Sequence, residues 1–210
     1  MRQTVRSGLQ AGLVLMVLAG VSAGLLEGLK QLGAPHVSKN RARFQAERLM
    51  EVLAGVRFDN SPSEDVVTLF PEMASHGLRR VFRARLQGRP VAYVLELETP
   101  RAYSGSIRML VSVAADGSVI RATVLAHKET PGIGDRIEPS RSKWLNRLSG
   151  HQAASAVGWR EAQQAGPLDA LTGATVTSRA AGAGIYRALE FFAAHRADLE
   201  RLGPGKIMRH

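Results

Sequence analysis

The feature that most constrains this chain is SGLQAGLVLMVLAGVSAGLL, residues 7–26, twenty residues without a charge. As a helix such a run spans about 30 Å, the thickness of a bilayer's hydrocarbon core. The small residues Val21, Ser22 and Ala23 resemble a signal-peptide cleavage site, but the apolar run is longer than a usual signal core and continues past them. The reading is a retained transmembrane anchor over residues 7–27 behind a cytoplasmic tip of residues 1–6. Arg2 and Arg6 precede the span and Lys30, Lys39, Arg41 and Arg43 come after it. Basic residues therefore do not decide orientation, but a long C-terminal domain crosses largely regardless of charge. An exported domain is the simpler topology. Within the span Gly8, Gly12, Gly20, Gly24 and Gly28 recur at multiples of four. They are either a face on which another helix packs closely or the ordinary glycine content of a membrane helix.

Beyond the anchor there is room for one ordinary domain in a chain of 210 residues. With 28 Lys and Arg against 18 Asp and Glu the formal charge is +10, an excess that can signal nucleic acid or an anionic surface. Nucleic acid is not expected as a partner. The basic residues are scattered along the chain, only 5% of residues are aromatic, and no recognition motif occurs. Cysteine is absent, which excludes disulfides, thiolate metal sites, iron–sulfur clusters and a cysteine nucleophile. No metal site is expected.

Residues 28–56 read as a linker and an amphipathic helix, with Phe44, Leu49, Val52, Leu53 and Val56 on one face. A turn-rich loop, residues 58–65, leads into the domain proper, residues 57–210. Residues 81–86 and 91–98 flank a Gln87-Gly88 turn as one hairpin, with Val91, Tyr93, Leu95 and Leu97 expected on one face. Residues 107–114 and 119–126 flank Asp116-Gly117 as a second hairpin. A short helix is expected at 143–148 and a last one at about 178–195, buried through Ile185, Leu189 and Phe192. The fold class is α+β: an antiparallel sheet with packed helices behind a single N-terminal transmembrane helix.

Three segments combine glycine, hydroxyls and irregular backbone at the ends of these elements: RAYSGSI (101–107), HKETPGIGD (127–135) and DALTGATVTS (169–178). Each alone reads as a turn. The third opens the last helix, where unpaired amides and the positive end of the dipole can hold a phosphate. Capping needs one hydroxyl at most. The segment supplies Thr172, Thr175, Thr177 and Ser178, of which Thr177 and Ser178 read as caps.

The series Asp169, Thr172, Gly173, Ala174, Thr175 resembles the flavinylation motif of the FMN-binding domain family. HKETPGIGDRI, AYSGSI and Trp144 resemble the same family in the same order. The anchor and motif order resemble most the branch that serves Rnf-type electron-transport complexes. Where the family usually has glycine before the Tyr-Ser pair, this chain has Ala102. The resemblance implies core motifs over 101–180 and FMN held as a phosphoester of Thr175. A flavin transferase would bring FAD to the Thr175 hydroxyl, which displaces AMP, and Gly173 and Ala174 give it clearance. It further implies Thr172, Glu129, Thr130, Gly132, Tyr103 and Ser104 around the cofactor, with His127 and Lys128 flanking it. No acid–base catalytic residues are expected, because the flavin supplies the redox chemistry. Asp169 is either a transferase recognition residue or a loop residue bonded to its own backbone.

The implied function is a flavoprotein that carries electrons within an ion-translocating ferredoxin:NAD⁺ oxidoreductase, among other membrane and redox subunits. Its implied place is a bacterial inner membrane, single-pass, with the domain on the periplasmic side. Alone the chain would be no complete enzyme. Two alternatives stay open: the related flavin subunit of a sodium-pumping NADH:quinone oxidoreductase, and a non-redox, membrane-anchored sensor or assembly protein on the same fold.

Overall fold

In a computed structural model of the protein, residues 2–69, 77–100, 102–156 and 168–208 are described; within the first helix this excludes the side chains of residues 2–11, 14 and 29–42. Helix α1 (Arg2–Val52) is followed by β1 (Val66–Leu69), β2 (Leu78–Leu86), β3 (Arg89–Thr99), β4 (Ile107–Ala114) and β5 (Val119–Ala126). Short 3₁₀ turns lead to α2 (Thr175–Arg201) and β6 (Ile207–Met208). The chain divides into two compact units, Met1–Gln45 and Ala46–His210.

In the first unit Leu13, Leu15, Met16, Val17, Leu18, Val21, Leu25 and Leu26 are all exposed. Among the described residues no helix is long and apolar enough to cross a membrane. The anchor expected at 7–27 lies partly outside them, since the side chains of residues 7–11 and 14 belong to the excluded set.

The second unit is built on a six-stranded sheet in the order β5-β4-β3-β2-β1-β6. The two hairpins form as the alternation predicts. The Gln87-Gly88 turn has positive φ at both residues, 53° and 76°, the geometry whose twist matches paired strands. The sheet is not wholly antiparallel, however: β6 runs parallel to β1. Neither strand was read from the sequence, because four residues and two residues are too short to show a period.

Both faces of the sheet are covered. Tyr93, Leu95, Leu97, Ile107, Met109, Val111 and Val113 pack with Ala181, Ile185, Leu189 and Phe192 of α2. On the opposite face Phe82, Ala84, Ala92, Val94 and Leu110 pack with Leu49, Val52 and Leu53 from the end of α1. Cover on both sides explains why β3 is buried almost continuously rather than at alternate residues. Val91 departs from its expected face and packs with the second cluster. The pairing passes from Ala84↔Ala92 to Arg85↔Pro90, so Val91 is an extra residue in the ladder, and such a bulge switches the side on which it sits.

The last helix is longer than its sequence pattern, starting at Thr175 and ending at Arg201. The expected helix at 143–148 is a 3₁₀ turn, Leu145–Leu148. Far from its start, α2 is tied to the sheet by Arg83, a guanidinium with no exposure at all. Arg83 donates to Asp65 Oδ1 from Nε (2.8 Å) and from Nη2, and from Nη1 to the carbonyls of Leu199 (2.8 Å) and Leu202. Those carbonyls close the negative end of the helix, where a cation is favourable. Asp65→Asn would leave a buried cation without its counter-charge, a loss of about 3–5 kcal/mol. Equilibrium urea unfolding of the variant should show it; a loss below about 1 kcal/mol would mean that the carbonyls alone hold Arg83.

Candidate functional site

The three irregular segments meet at one end of the sheet because each continues from an element already fixed by it. The first joins β3 to β4, the second leaves β5, and the third opens α2. Each has a glycine in the left-handed region: Gly105 (φ 128°), Gly132 (φ 77°) and Gly173 (φ 83°). Between them lies a cavity of about 440 Å³, lined by residues of all three. That is within the usual size of a small-molecule site.

Glu129 joins the walls. It is only 5% exposed, and both carboxylate oxygens are engaged. Oε1 accepts the Ser104 N–H at 2.9 Å, and Oε2 accepts the Thr177 hydroxyl at 2.6 Å. One side chain therefore fastens the β3–β4 loop and the first turn of α2 to the segment after β5. Gly134 makes room for it: a Cβ there would stand 2.7 Å from Glu129 Cβ and 2.9 Å from Oε2. Behind Glu129, its own N–H donates to His127 Nδ1 at 3.1 Å. The ring proton is then on Nε2, which lies 2.7 Å from Glu138 Oε1. That hydrogen bond holds the Glu138 carboxyl below the ordinary glutamate range, against the opposing effect of burial, with help from the Ser140 hydroxyl. His127 thus braces the loop. Lys128 beside it is exposed.

The third segment is clamped from outside by residues of 134–148. Arg136 donates to the Thr172 carbonyl (3.1 Å), Trp144 Nε1 to the Asp169 carbonyl (2.7 Å), and Arg147 to Asp169 Oδ2 (3.1 Å). The Asp169 carboxylate is therefore paired to Arg147 rather than to its own backbone. Helix α2 begins with Ala174 as N-cap and no side-chain cap. Thr177 and Ser178, expected as caps, are engaged elsewhere: Thr177 on Glu129, and Ser178 through its donation to Ala174 O (2.9 Å) and its acceptance of Leu171 N–H (2.9 Å). The amides of the first turn, which no intrahelical carbonyl serves, are thus left at the cavity beside the exposed Thr175.

Of the residues singled out in the sequence, Tyr103, Glu129, Thr130, Gly173, Ala174 and Thr175 line the cavity. Thr172, Gly132 and Ser104 do not: they shape its walls through a carbonyl, a turn and an amide. Sequence reasoning missed Ile133, Gly134, Val176 and Thr177. Tyr103, Ile133 and Val176 are 74%, 51% and 55% exposed, so three apolar groups from three segments stand around the mouth. Such a rim suits a planar aromatic ligand that remains partly in solvent. Ala102, where glycine was the expected residue, packs partly buried against the main core.

The sequence is similar to those of known proteins. The model of the FMN-binding domain family matches residues 102–190, which contain all three segments except Arg101. The chain is similar to the G subunit of the ion-translocating oxidoreductase complex of Pseudomonas aeruginosa, 35% identical over 99% of this chain and 98% of that protein. Proteins of the same name from Cereibacter sphaeroides and Escherichia coli are 36% and 32% identical over 92% and 90% of this chain, and 88% and 91% of their own lengths. Among solved structures, NqrC of Shewanella oneidensis aligns with a TM-score of 0.43 and 26% identity, over 59% of this chain and 61% of that one.

Because Oε2 is held by Thr177, Glu129 cannot swing away from a new neighbour without giving up its bond. Gly134→Ala should therefore cost about 1–3 kcal/mol in thermal or urea unfolding and should perturb any ligand in the cavity. A variant as stable as the parent would show that the clasp tolerates displacement.

Proposed function

The chain belongs to the family of G subunits of ion-translocating oxidoreductase complexes, and on that premise we propose that it is a membrane-anchored flavoprotein carrying electrons through FMN fixed to Thr175. The observation that carries this reading is the placement of Thr175: an exposed hydroxyl, at the uncapped start of a long helix, on the wall of a cavity with an apolar rim. The residues present fit the group. The first-turn amides of α2 can hold a phosphate charge, and Gly173 and Ala174 keep side-chain bulk away from the hydroxyl. Tyr103, Ile133 and Val176 offer apolar surface to the ring. Glu129 and Thr130 give the cavity its polar wall.

When bound, the flavin supplies the electron transfer. The rest falls to this chain's own residues. Glu129, committed to two internal hydrogen bonds, holds the walls at fixed spacing. His127 and Gly134 keep Glu129 in place. Arg136, Trp144 and Arg147 fix the loop that presents Thr175, so the hydroxyl is offered at a rigid position to a flavin transferase. Asp169, with its carboxylate on the outer surface beside Arg147, is available for recognition by that transferase.

The domain assignment is residues 1–6 as a cytoplasmic tip, 7–27 as the anchor, 28–56 as linker and helix, and the FMN-binding domain on the periplasmic side of a bacterial inner membrane. The exposed apolar side chains of the first unit are consistent with lipid as their surroundings. Other subunits would supply the remaining redox centres and the ion path.

Thr175→Ala should abolish both the FMN-sized mass increment and in-gel flavin fluorescence while leaving the chain folded. Thr177→Ala should keep the adduct. Covalent flavin retained by Thr175→Ala would overturn the assignment.

A further inference from the structure

A second and larger hollow, about 730 Å³, lies away from the cofactor cavity and shares no lining residue with it. On α2 its contributor is Arg187, twelve residues after Thr175 and so about 18 Å further along the helix. Among the described residues four guanidiniums line it, Arg79, Arg80, Arg108 and Arg187, against two carboxylates, Glu96 and Glu98. The anchor of the group is Glu96, which is 1% exposed. Its Oε2 accepts Arg80 Nε at 2.7 Å and its Oε1 accepts Arg108 Nη2 at 2.8 Å. Glu98 pairs in the same way with Arg79 at 2.6 Å.

A buried acid that grips two arginines fixes their forks before any ligand arrives, which removes part of the ordering cost of binding. Arg79, Arg80 and Arg108 keep 57%, 35% and 42% of their side chains exposed, so the remaining N–H groups are presented to solvent. We propose that this groove receives an acidic segment of a partner subunit. The inference rests on the reading of the chain as part of a multisubunit complex. The charge pattern selects the partner's chemistry. Each of these three cations already shares a carboxylate, and their exposed N–H groups stand apart across a wide hollow. That suits several separate carboxylates better than one concentrated phosphate.

The test uses the full-length, affinity-tagged chain expressed in a host that makes the rest of the complex. Arg79→Glu combined with Arg108→Glu should lower the recovered partner subunits at least tenfold at about 0.15 M salt, with the flavin mass increment unchanged. Recovery equal to the parent would overturn the proposal. If the double variant fails to fold, Arg79→Ala, at the most exposed of these three arginines, should lower recovery several-fold and make it more salt-sensitive; parental recovery would again overturn it. If partner recovery holds while binding to phosphatidylglycerol vesicles falls, the groove meets lipid and the proposal is wrong. Loss of the flavin increment in the parent chain itself would instead sink the proposed function, which this assay reads separately.

Discussion

Two hydrogen bonds on one buried carboxylate hold the candidate site together. Glu129 stands on the segment after β5, yet its oxygens are bonded to the β3–β4 loop and to the first turn of α2. Without it, three segments from distant parts of the chain lose the side chain that links them at the cavity. A buried carboxylate is tolerated only when its lone pairs are met, so the neighbours are constrained in turn. Gly134 must lack a side chain, Thr177 must carry a hydroxyl, and His127 must present an unprotonated Nδ1 to the Glu129 amide. At the far end of α2, the Arg83–Asp65 pair and the two carbonyls it serves fix the helix against the sheet. The first turn of α2, and Thr175 with it, is thereby positioned by bonds at both ends of the helix.

The distribution of charge becomes intelligible only in three dimensions. Along the sequence the basic residues are scattered, and no cluster points to a partner. In the fold, neighbouring strands and α2 bring Arg79, Arg80, Arg108 and Arg187 to one hollow. Arg136 and Arg147 brace the loop before α2. Arg83 is consumed inside the protein. These seven arginines are thus divided between the interior, the loop before α2 and one hollow of the surface.

Much of the fold was legible because two hairpins and a long helix carry their periods openly. Ile107, Met109, Val111 and Val113 alternate and all enter the core cluster to which α2 contributes, as the pattern requires. The elements that escaped were too short to have a period, β1 and β6, and with them the parallel pairing that makes the sheet mixed. Val91 escaped because a bulge is invisible to a strict alternation. At the site, residue types alone marked the Thr175 and Glu129 segments only as turns rich in glycine and hydroxyls, and their link to a cofactor came from the resemblance to the FMN-binding domain family. Their division of labour was not legible. Nothing in a linear sequence says that Thr177 serves Glu129 rather than the helix end, or that Ser104 contributes an amide rather than a hydroxyl. The apolar rim also went unread, because Ile133 and Val176 look like ordinary core residues until their exposure is seen.

The central claim is that the cavity and the start of α2 present one threonine hydroxyl for attachment of a flavin. The most direct measurement is fragmentation mass spectrometry of the tryptic peptide ending at Arg179, taken from protein made in its native host. The expected result is an FMN-sized increment localised to Thr175. An unmodified peptide, or an increment on Thr172, Thr177 or Ser178, would contradict it.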